Sequence, residues 1–240
     1  TLPLLNEAKT LSTCLNVFES FSPRIPDNYK DSSYVFLANI DPDLQLEVLE
    51  QVRSPRLVAL DSMNYWITSK RESLARVLSL VDVVLLNESE VRLYAGESNL
   101  MVAARRLLDV GPKALVVKRG EHGALLVTRG GELKDSFFLA PAYPLECVVD
   151  PTGAGDTFAA GFMGYLAHCD DLTLESFRRA VVHGAVVASF TVQDFSIDRL
   201  RTLRWDEILD RYDEFRYLTC FDPLEIGERR GFQRDIHQLG

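Results

Sequence analysis

The chain has 240 residues, of which 47% are hydrophobic and 25% are charged, which is typical of a globular protein with one substantial core or two small ones, and one large domain is the simpler interpretation. Its formal net charge of −9 excludes a sustained basic surface and argues against nucleic acid or an anionic membrane as the main partner. An acidic protein of this kind can still bind a phosphate group locally.

The leading segment, residues 1–30, shows weak periodicity and contains Pro3, Pro23 and Pro26, which indicates an irregular start to the fold. Runs of apolar and β-branched residues follow and predict buried strands. These strands are predicted at residues 35–38, 57–60, 83–86, 114–117 and 124–127. Between them, apolar residues recur at the three-to-four spacing of amphipathic helices. The helical positions are Leu44, Val48, Leu49 and Val52, then Leu74, Val77, Leu78 and Val81, then Leu100, Ala103, Ala104 and Leu107.

Alternating strands and helices predict βαβ units in a mostly parallel, Rossmann-like sheet with helices on both faces. Ligands gather beyond the carboxyl ends of such strands, so motifs there are the strongest functional candidates. After Ala124 the pattern changes. Arg129, Gly130 and Gly131 predict a hairpin turn, and apolar periodicity predicts long helices at about residues 155–168 and 174–192.

The strongest chemical signal is DPTGAGDTF at residues 150–158, where a strand-like segment at 147–149 runs into a turn of small residues and then a helix. Backbone N–H groups at a helix N-terminus bind anions, because they lack partners within the helix and lie at the positive end of its dipole. Asp156 in the same turn is placed to accept a proton from a hydroxyl group held beside that anion site. The alternative is that Asp156 and Thr157 only cap the helix.

Two other nucleotide-binding patterns are not supported. Gly153 and Gly155 begin a GxGxxG pattern, but Phe158 occupies the third glycine position, and GxxxxGK[ST] does not occur in the chain. These observations argue against an NAD-linked enzyme and against a P-loop protein.

The longer stretch DPTGAGDTFAAGF, residues 150–162, resembles the C-terminal signature of the PfkB/ribokinase family of carbohydrate and nucleoside kinases. The resemblance implies a ribokinase-like three-layer αβα sandwich. It also implies transfer of the γ-phosphoryl group of ATP to a hydroxyl group of a sugar, nucleoside or related polyol. In this interpretation Asp156 is the base, and Gly153, Ala154 and Gly155 form the anion hole.

Asn87-Glu88-Ser89-Glu90 is similar to the family's NxxE motif, which implies that Asn87 and Glu90 organise Mg²⁺ and the phosphates. A carboxylate at a strand end suits a hard cation that keeps several waters. The alternative is structural, since Asn and Glu at a helix start are also an ordinary cap and first-turn charge.

The resemblance implies further contacts to the nucleotide and to the acceptor. The nucleotide contacts are Lys118, Gly120, Gly123, Thr152, His183 and Ser189, and the acceptor contacts are Asn39, Asp61, Asn64 and Asp156. Relatives more often have threonine where this chain has Lys118, so the lysine is either a charge for the phosphates or a solvated strand-end residue. His183 falls where relatives place a residue near the adenine, with a packed helical histidine as the alternative. Asn39, Asp61 and Asn64 can also serve as turn and cap residues.

The resemblance runs from about Tyr34 to Asp198, and the family's N-terminal strands, Gly-Gly substrate motif and β lid have no counterpart in the chain. Because the chain also starts at Thr1 instead of Met, we expect a kinase domain at residues 1–221 that is incomplete at its N-terminus. The polar residues 222–240 predict a tail that wraps the surface or is partly disordered. A natural short variant is the alternative, and the rival function is an inactive nucleotide or sugar sensor of the same fold.

The four cysteines lie far apart and form no CxxC pair, so neither a zinc site nor a disulfide framework is predicted, and a cytoplasmic location fits best. No apolar run approaches the ~20 residues that cross a bilayer, and the start of the chain lacks the pattern of a signal peptide. The expected ligands are ATP with Mg²⁺ and a small alcohol acceptor. Neither nucleic acid nor a membrane is expected as a partner, and a homodimer is possible on the sequence alone.

Overall fold

The structure is a computed structural model that describes residues 14–221. Within them, six strands form one sheet in the order β1-β2-β3-β4-β5-β6. The strands are β1 Tyr34–Leu37, β2 Leu57–Asp61, β3 Val83–Asn87, β4 Ala114–Lys118, β5 Ala124–Thr128 and β6 Ser136–Ala140. The predicted strands are confirmed to within one residue at each end.

Strands β1 to β4 are parallel, whereas β5 and β6 run antiparallel to their neighbours. This confirms the mostly parallel sheet and the hairpin turn after β5. Strand β6 was not predicted. Its Phe137 and Leu139 are 62% and 60% exposed, whereas Ala140 is buried. An edge strand with one exposed face lacks the continuous apolar run that identifies a strand buried on both faces.

Helices flank the sheet. They are α1 Pro42–Gln51, α2 Asn64–Ser69, α3 Arg71–Leu78, α4 Glu88–Ala95, α5 Leu100–Leu108, α6 Ala154–Cys169, α7 Leu174–Thr191, α8 Asp198–Thr202 and α9 Trp205–Thr219. The two long helices predicted in the C-terminal half are confirmed as α6 and α7. Helix α9 was not predicted. Only its Phe215 is fully buried, so its sequence lacks the strong apolar stripe that identifies a helix packed on a core.

Two apolar clusters cover the opposite faces of the sheet. One joins Val58 and Val84 to helices α2 to α5, and the other joins Ala59 and Leu85 to α6, α7 and α9. Neighbouring residues of one strand enter opposite clusters because side chains alternate across a sheet. The result is the expected three-layer αβα sandwich, with the carboxyl ends of β1 to β4 along one edge.

Residues 147–149 were predicted to be strand-like, and this prediction is wrong. Val148 and Val149 are 47% and 56% exposed, and the Val149 N–H donates to the Val192 carbonyl at 2.8 Å. The chain has left the sheet after β6 and here pairs with the end of α7. Its β-branched residues therefore mimic a strand without a partner strand beside them.

Residues 14–33 contain two short 3₁₀ helices, Asn16–Ser20 and Asp27–Tyr29, and no strand, in agreement with the predicted irregular start. Residues 1–13 and the predicted tail at 222–240 lie outside the described residues. Across residues 14–221, no helix combines the length and the apolar character needed to span a bilayer.

Candidate active site

Three chemically active side chains follow neighbouring strands. Asp61 ends β2, Asn87 ends β3 and Lys118 ends β4. The register pairs Asn87 directly with Lys118 and pairs Asp61 with Leu85. Because β2, β3 and β4 are parallel, their carboxyl ends meet at the same edge of the sheet, as predicted.

Lys118 and Asp61 form an ion pair across these strand ends. Nζ of Lys118 lies 2.5 Å from Oδ2 of Asp61, and the two side chains are 17% and 6% exposed. The other carboxylate oxygen, Oδ1, accepts a hydrogen bond from the Ser62 N–H at 2.8 Å. Burial raises the pKa of Asp61, and the ammonium group beside it opposes that rise. Lys118 is therefore a largely buried, paired cation and not a solvated strand-end residue.

Gln45 on α1 holds two strand ends together. It is 1% exposed, and its Nε2 donates to the Ala38 carbonyl at 2.9 Å and to the Asp61 carbonyl at 3.1 Å. Gln45 was not predicted from the sequence, because helix α1 was identified by its apolar residues and a polar residue among them is expected to face solvent. The signal in the sequence was its spacing, three residues before Val48 and four before Leu49 on the predicted apolar face.

Asn87 and Glu90 form a capping box at the start of α4. Oδ1 of Asn87 accepts from the Glu90 N–H at 2.9 Å, and Oε2 of Glu90 accepts from the Asn87 N–H at 2.8 Å. Burial raises the pKa of Glu90 to about 7, against the opposing effects of the Asn87 N–H and the Lys118 charge. Asn87 and Glu90 therefore do cap helix α4, as the structural alternative expected. The cap also holds the Glu90 carboxylate within electrostatic range of Lys118 and Asp61.

The donor atoms of this region fit Mg²⁺. Within residues 14–221, no group of three His, Cys, Asp or Glu side chains is arranged to hold a metal ion. Mg²⁺ does not need such a group, because it keeps several waters and takes one or two carboxylates together with substrate phosphates. Glu90 supplies a hard carboxylate at the strand ends.

The turn before α6 presents open backbone donors. Gly153 has a φ of +80°, in the left-handed region that favours glycine, and Ala154 begins the helix. The Ala154 N–H donates to the Pro151 carbonyl at 3.2 Å, whereas the N–H groups of Gly155 and Asp156 have no acceptor among the described residues. The open donors of the predicted anion hole therefore include the N–H of Asp156, and the N–H of Ala154 is already engaged.

Asp150 braces this turn. Its Oδ1 accepts from the Thr152 N–H at 2.9 Å, and its Oδ2 accepts from the Ser196 N–H at 3.2 Å. The hydrogen bonds from Thr152 and Ser196 hold the pKa of Asp150 below its usual value. The side chain of Thr152 is exposed at the surface of the turn.

Asp156 lies in the first turn of α6 and is exposed. No side chain makes a capping hydrogen bond at the start of α6, so the capping alternative for Asp156 is not supported. Its charge contributes to the raised pKa of Asp61, and a Cβ atom on Gly155 would lie 3.4 Å from Nζ of Lys118. The first turn of α6 therefore meets the ends of β2 and β4.

The segment after β4 turns back at Gly120 and Gly123, as predicted. Gly123 has a φ of +80°, and a Cβ atom there would lie 2.0 Å from the Ala140 carbonyl oxygen. Arg119 ties the same turn to α4, because its Nε donates to Oε2 of Glu88 at 2.8 Å. These glycines are required by the backbone, whichever ligand lies beside them.

His183 and Ser189 on α7 make their contacts inside the helical layer. Nδ1 of His183 lies 3.1 Å from the Gly161 carbonyl oxygen, and the imidazole ring is 6.0 Å from the ring of Trp205. Oγ of Ser189 accepts a hydrogen bond from Arg211 at 2.9 Å. These contacts agree with the packed-histidine alternative and do not join either residue to the strand ends.

Asn39 and Asn64 flank the strand ends. Asn39 is exposed just after β1, and Asn64 is the first residue of α2, just after β2. Since β1 and β2 are parallel, both residues lie at the same edge of the sheet as Asp61. Both residues therefore lie at the edge that carries the strand ends, and their contact with the acceptor stays a prediction.

A separate open groove of about 470 Å³ lies between the end of α7 and helices α8 and α9. Phe190, Arg199, Glu207 and Arg211 are among its lining residues. Arg199 and Glu207 pair with each other, and Arg211 stacks on Phe190. None of the predicted site residues lines this groove.

Comparison with known proteins agrees with this architecture. The chain is 34% identical to a cytidine kinase of Thermococcus kodakarensis over 167 aligned residues. The aligned region covers 65% of this chain and 58% of the cytidine kinase. The structure of a nucleoside kinase from Methanocaldococcus jannaschii, an archaeal member of the ribokinase family, matches with a TM-score of 0.64 at 22% identity, covering 83% of this chain and 60% of that one.

An Escherichia coli protein assigned as a ribokinase II, solved in complex with ATP and Mg²⁺, matches with a TM-score of 0.62 at 23% identity and covers 78% of this chain and 61% of that one. These structures show the ribokinase-like fold. The chain spans little more than half the length of the curated relatives, 58% of the cytidine kinase. Residues 24–199 match the sequence profile described as pfkB family carbohydrate kinase. The chain therefore belongs to the pfkB family of carbohydrate kinases.

Proposed function

We propose that this protein transfers the γ-phosphoryl group of ATP to a hydroxyl group of a nucleoside, sugar or related polyol. The observation that carries the proposal is the convergence of Asp156, the open N–H groups of the α6 turn and Lys118 at one edge of the sheet. Phosphoryl transfer depends mainly on positioning two reactants and stabilising charge, and this arrangement provides both.

The phosphates bind at the turn before α6. The N–H groups of Gly155 and Asp156 donate to phosphate oxygens, and the positive end of the α6 dipole adds to their effect. Gly153 and Ala154 shape the turn that presents these donors. Among the other expected nucleotide contacts, Thr152 lies in the turn and Lys118 lies beside it. Contact of the nucleotide with Lys118, Gly120, Gly123, Thr152, His183 and Ser189 stays a prediction.

Asp156 acts as the base. Its carboxylate accepts the proton of the acceptor hydroxyl group while the hydroxyl oxygen forms a bond to the γ-phosphorus. The bond between the γ-phosphorus and the β–γ bridging oxygen breaks, and that oxygen leaves with its electron pair as part of ADP. The phosphorylated alcohol and ADP are the products.

Glu90 and Asn87 would hold Mg²⁺, with the Glu90 carboxylate as the group that binds the cation and Asn87 fixing the orientation of that carboxylate. When bound, the cation neutralises charge on the phosphates. The capping box keeps the Glu90 carboxylate at the strand ends, on the side of Lys118.

Nucleosides are the first acceptors to test, because a cytidine kinase is among the relatives with 34% identity. We place the acceptor near Asn39 and Asn64, which follow β1 and β2 on the edge of the sheet that carries Asp156. A bound nucleoside would present its ribose hydroxyl group to Asp156.

The test is turnover of an Asp156→Ala variant of the intact purified protein, measured as acceptor-dependent ADP formation from Mg-ATP over a panel of nucleosides, sugars and inositols. Loss of a general base lowers the rate about 100- to 10,000-fold. ADP affinity, measured by calorimetry, should stay close to that of the unaltered protein. Asp213→Ala, which removes an exposed aspartate from α9, is the matched control and should keep full turnover.

Turnover that survives in Asp156→Ala would rule out Asp156 as the base. Saturable ATP binding by the unaltered protein, with no transfer to any acceptor of the panel, would favour the inactive sensor over the kinase.

A further inference from the structure

The Asp61–Lys118 ion pair has an arrangement that the expected acceptor role of Asp61 does not explain. Asp61 is 4% exposed. Its Oδ1 accepts from the Ser62 N–H, its Oδ2 accepts from Lys118, and its carbonyl oxygen accepts from Gln45. Every oxygen atom of this residue therefore has a protein partner, and at 4% exposure the carboxylate has almost no surface on which to contact an acceptor.

Lys118 has the opposite character. An ammonium group has three donors, and among the described residues only Asp61 accepts from it. Two donors of a cation that is 17% exposed are therefore open. Ordinary lysines keep such donors in bulk water, whereas a largely buried ammonium group with two open donors is suited to binding an anion.

The open donors of Lys118 lie beside the open donors of the α6 turn. A Cβ atom on Gly155 would be 3.4 Å from Nζ of Lys118, and the N–H groups of Gly155 and Asp156 have no acceptor within the described residues. A cation and two amide donors on one small surface match an oxyanion with several oxygens, such as a phosphate.

The charges nearby explain why the cation must be held in place. Asp156 and Glu90 are both within electrostatic range of Asp61. An anionic phosphate that approaches these carboxylates needs a fixed positive charge at short range. A lysine side chain is flexible, and its buried partner removes that freedom.

We propose that Asp61 is a positioning residue, which aims the ammonium group of Lys118 at the nucleotide phosphates beside Gly155, and that it does not contact the acceptor. This inference rests on the proposed kinase function. It assigns the phosphate contact to Lys118 and replaces the expectation that Asp61 faces the acceptor.

The experiment is a double-mutant cycle in the intact protein with Lys118→Met, Asp61→Asn and the double variant. Two constants are measured for each, the calorimetric dissociation constant of ADP at fixed Mg²⁺ and the KM of the acceptor. Loss of a charged hydrogen bond to phosphate should weaken ADP binding by about 10-fold or more in Lys118→Met. The KM of the acceptor should stay unchanged in all three variants.

In Asp61→Asn, ADP binding should weaken severalfold, because Lys118 is no longer held. In the Lys118→Met background the same substitution should not weaken ADP binding further, since Asp61 acts only through the lysine. Lys113→Met is the control. It removes a lysine that pairs with Asp82 at the other end of β4 and should leave both constants unchanged.

Each single variant leaves a buried charge without its partner, an ammonium group in Asp61→Asn and a carboxylate in Lys118→Met, and can fail to fold, whereas the double variant is neutral at this site. ADP binding by the double variant, about 10-fold or more weaker than in the unaltered protein, therefore tests the phosphate contact of Lys118 even if a single variant does not fold. A double variant that binds ADP clearly more weakly than Lys118→Met would overturn the proposal. Unchanged ADP binding in Lys118→Met, or a raised acceptor KM in Asp61→Asn, would overturn it as well.

The outcomes are separable from those of the kinase test. Unaltered protein that binds ADP but transfers no phosphate contradicts the kinase activity, and the ADP constants still test Lys118. Unaltered protein that binds no nucleotide contradicts both proposals.

Discussion

His183 is a titratable side chain enclosed by helices. Nε2 of its ring is buried and has no hydrogen-bond partner among the described residues. Burial lowers the pKa of His183, the Gly161 carbonyl opposes this, and His168 adds to the lowering. The unfolded chain, whose histidine titrates near the ordinary value of 6.5, therefore binds this proton more readily than the folded protein. Folding stability should fall as the pH drops below that value, because protonation then favours the unfolded state.

This prediction is tested by urea unfolding at about pH 7.5 and about pH 5.5. In His183→Gln, the loss of unfolding free energy between the two pH values should be smaller than in the unaltered protein. His122→Gln, which replaces an exposed histidine, should behave like the unaltered protein. If His183→Gln and the unaltered protein lose equal unfolding free energy between the two pH values, burial does not lower the pKa of His183.

Helices α6 and α7 approach each other closely through glycines. A Cβ atom on Gly184 would lie 2.8 Å from the Phe158 carbonyl oxygen, and one on Gly161 would lie 3.0 Å from the Gly184 Cα. Glycine within a helix is normally unfavourable, so its presence here reflects the need for close packing. The contact fixes α6, and with it the turn that carries Asp156, against the sheet.

Gly184→Ala should therefore destabilise the protein by about 1–3 kcal/mol, because overpacking outweighs the gain in helix propensity. Gly164→Ala, on α6 where a Cβ atom would meet nothing within 4 Å, is the matched control. It should stabilise the protein by about 0.5–1 kcal/mol. Urea unfolding of both variants measures the difference, and a Gly184→Ala variant as stable as Gly164→Ala would refute the close approach.

At the scale of the whole molecule, the sheet is unevenly covered. Residues of β2, β3 and β4 are almost entirely buried, because helices pack on both faces of these strands. Strand β1 has only one buried residue, Leu37, and β6 only one, Ala140. The two edge strands also have one neighbour each within the described residues. Local stability should therefore be highest in the centre of the sheet.

Native-state hydrogen exchange tests this prediction. The amide hydrogens of β2 to β4 should exchange most slowly, near the rate set by global unfolding, and those of β1 and β6 clearly faster. Protection of β6 equal to that of β3 would show that the exposed face at Phe137 and Leu139 is covered in solution.

The fold followed from local patterns because most of its strands are buried on both faces. A continuous apolar run at residues 83–86 identifies such a strand without knowledge of its neighbours. Strand β6 and helix α9 lack a strong pattern, since each buries only part of one face. Residues 147–149 have the apolar, β-branched pattern of a strand but no partner strand beside them within the described residues. Periodicity therefore predicted buried elements and failed where an element lies at an edge or on the surface.

The sequence alone determined the family resemblance, the alternation of strands and helices along the chain and the motif at Asp156, because a short motif and a hydrophobic period are local properties of the chain. Only the tertiary structure decided which side chains meet. Asp61 and Lys118 are 57 residues apart in the chain and form an ion pair, and Gln45 is buried by contacts with the ends of two strands. Such pairings depend on strand register and on desolvation, which no local pattern records.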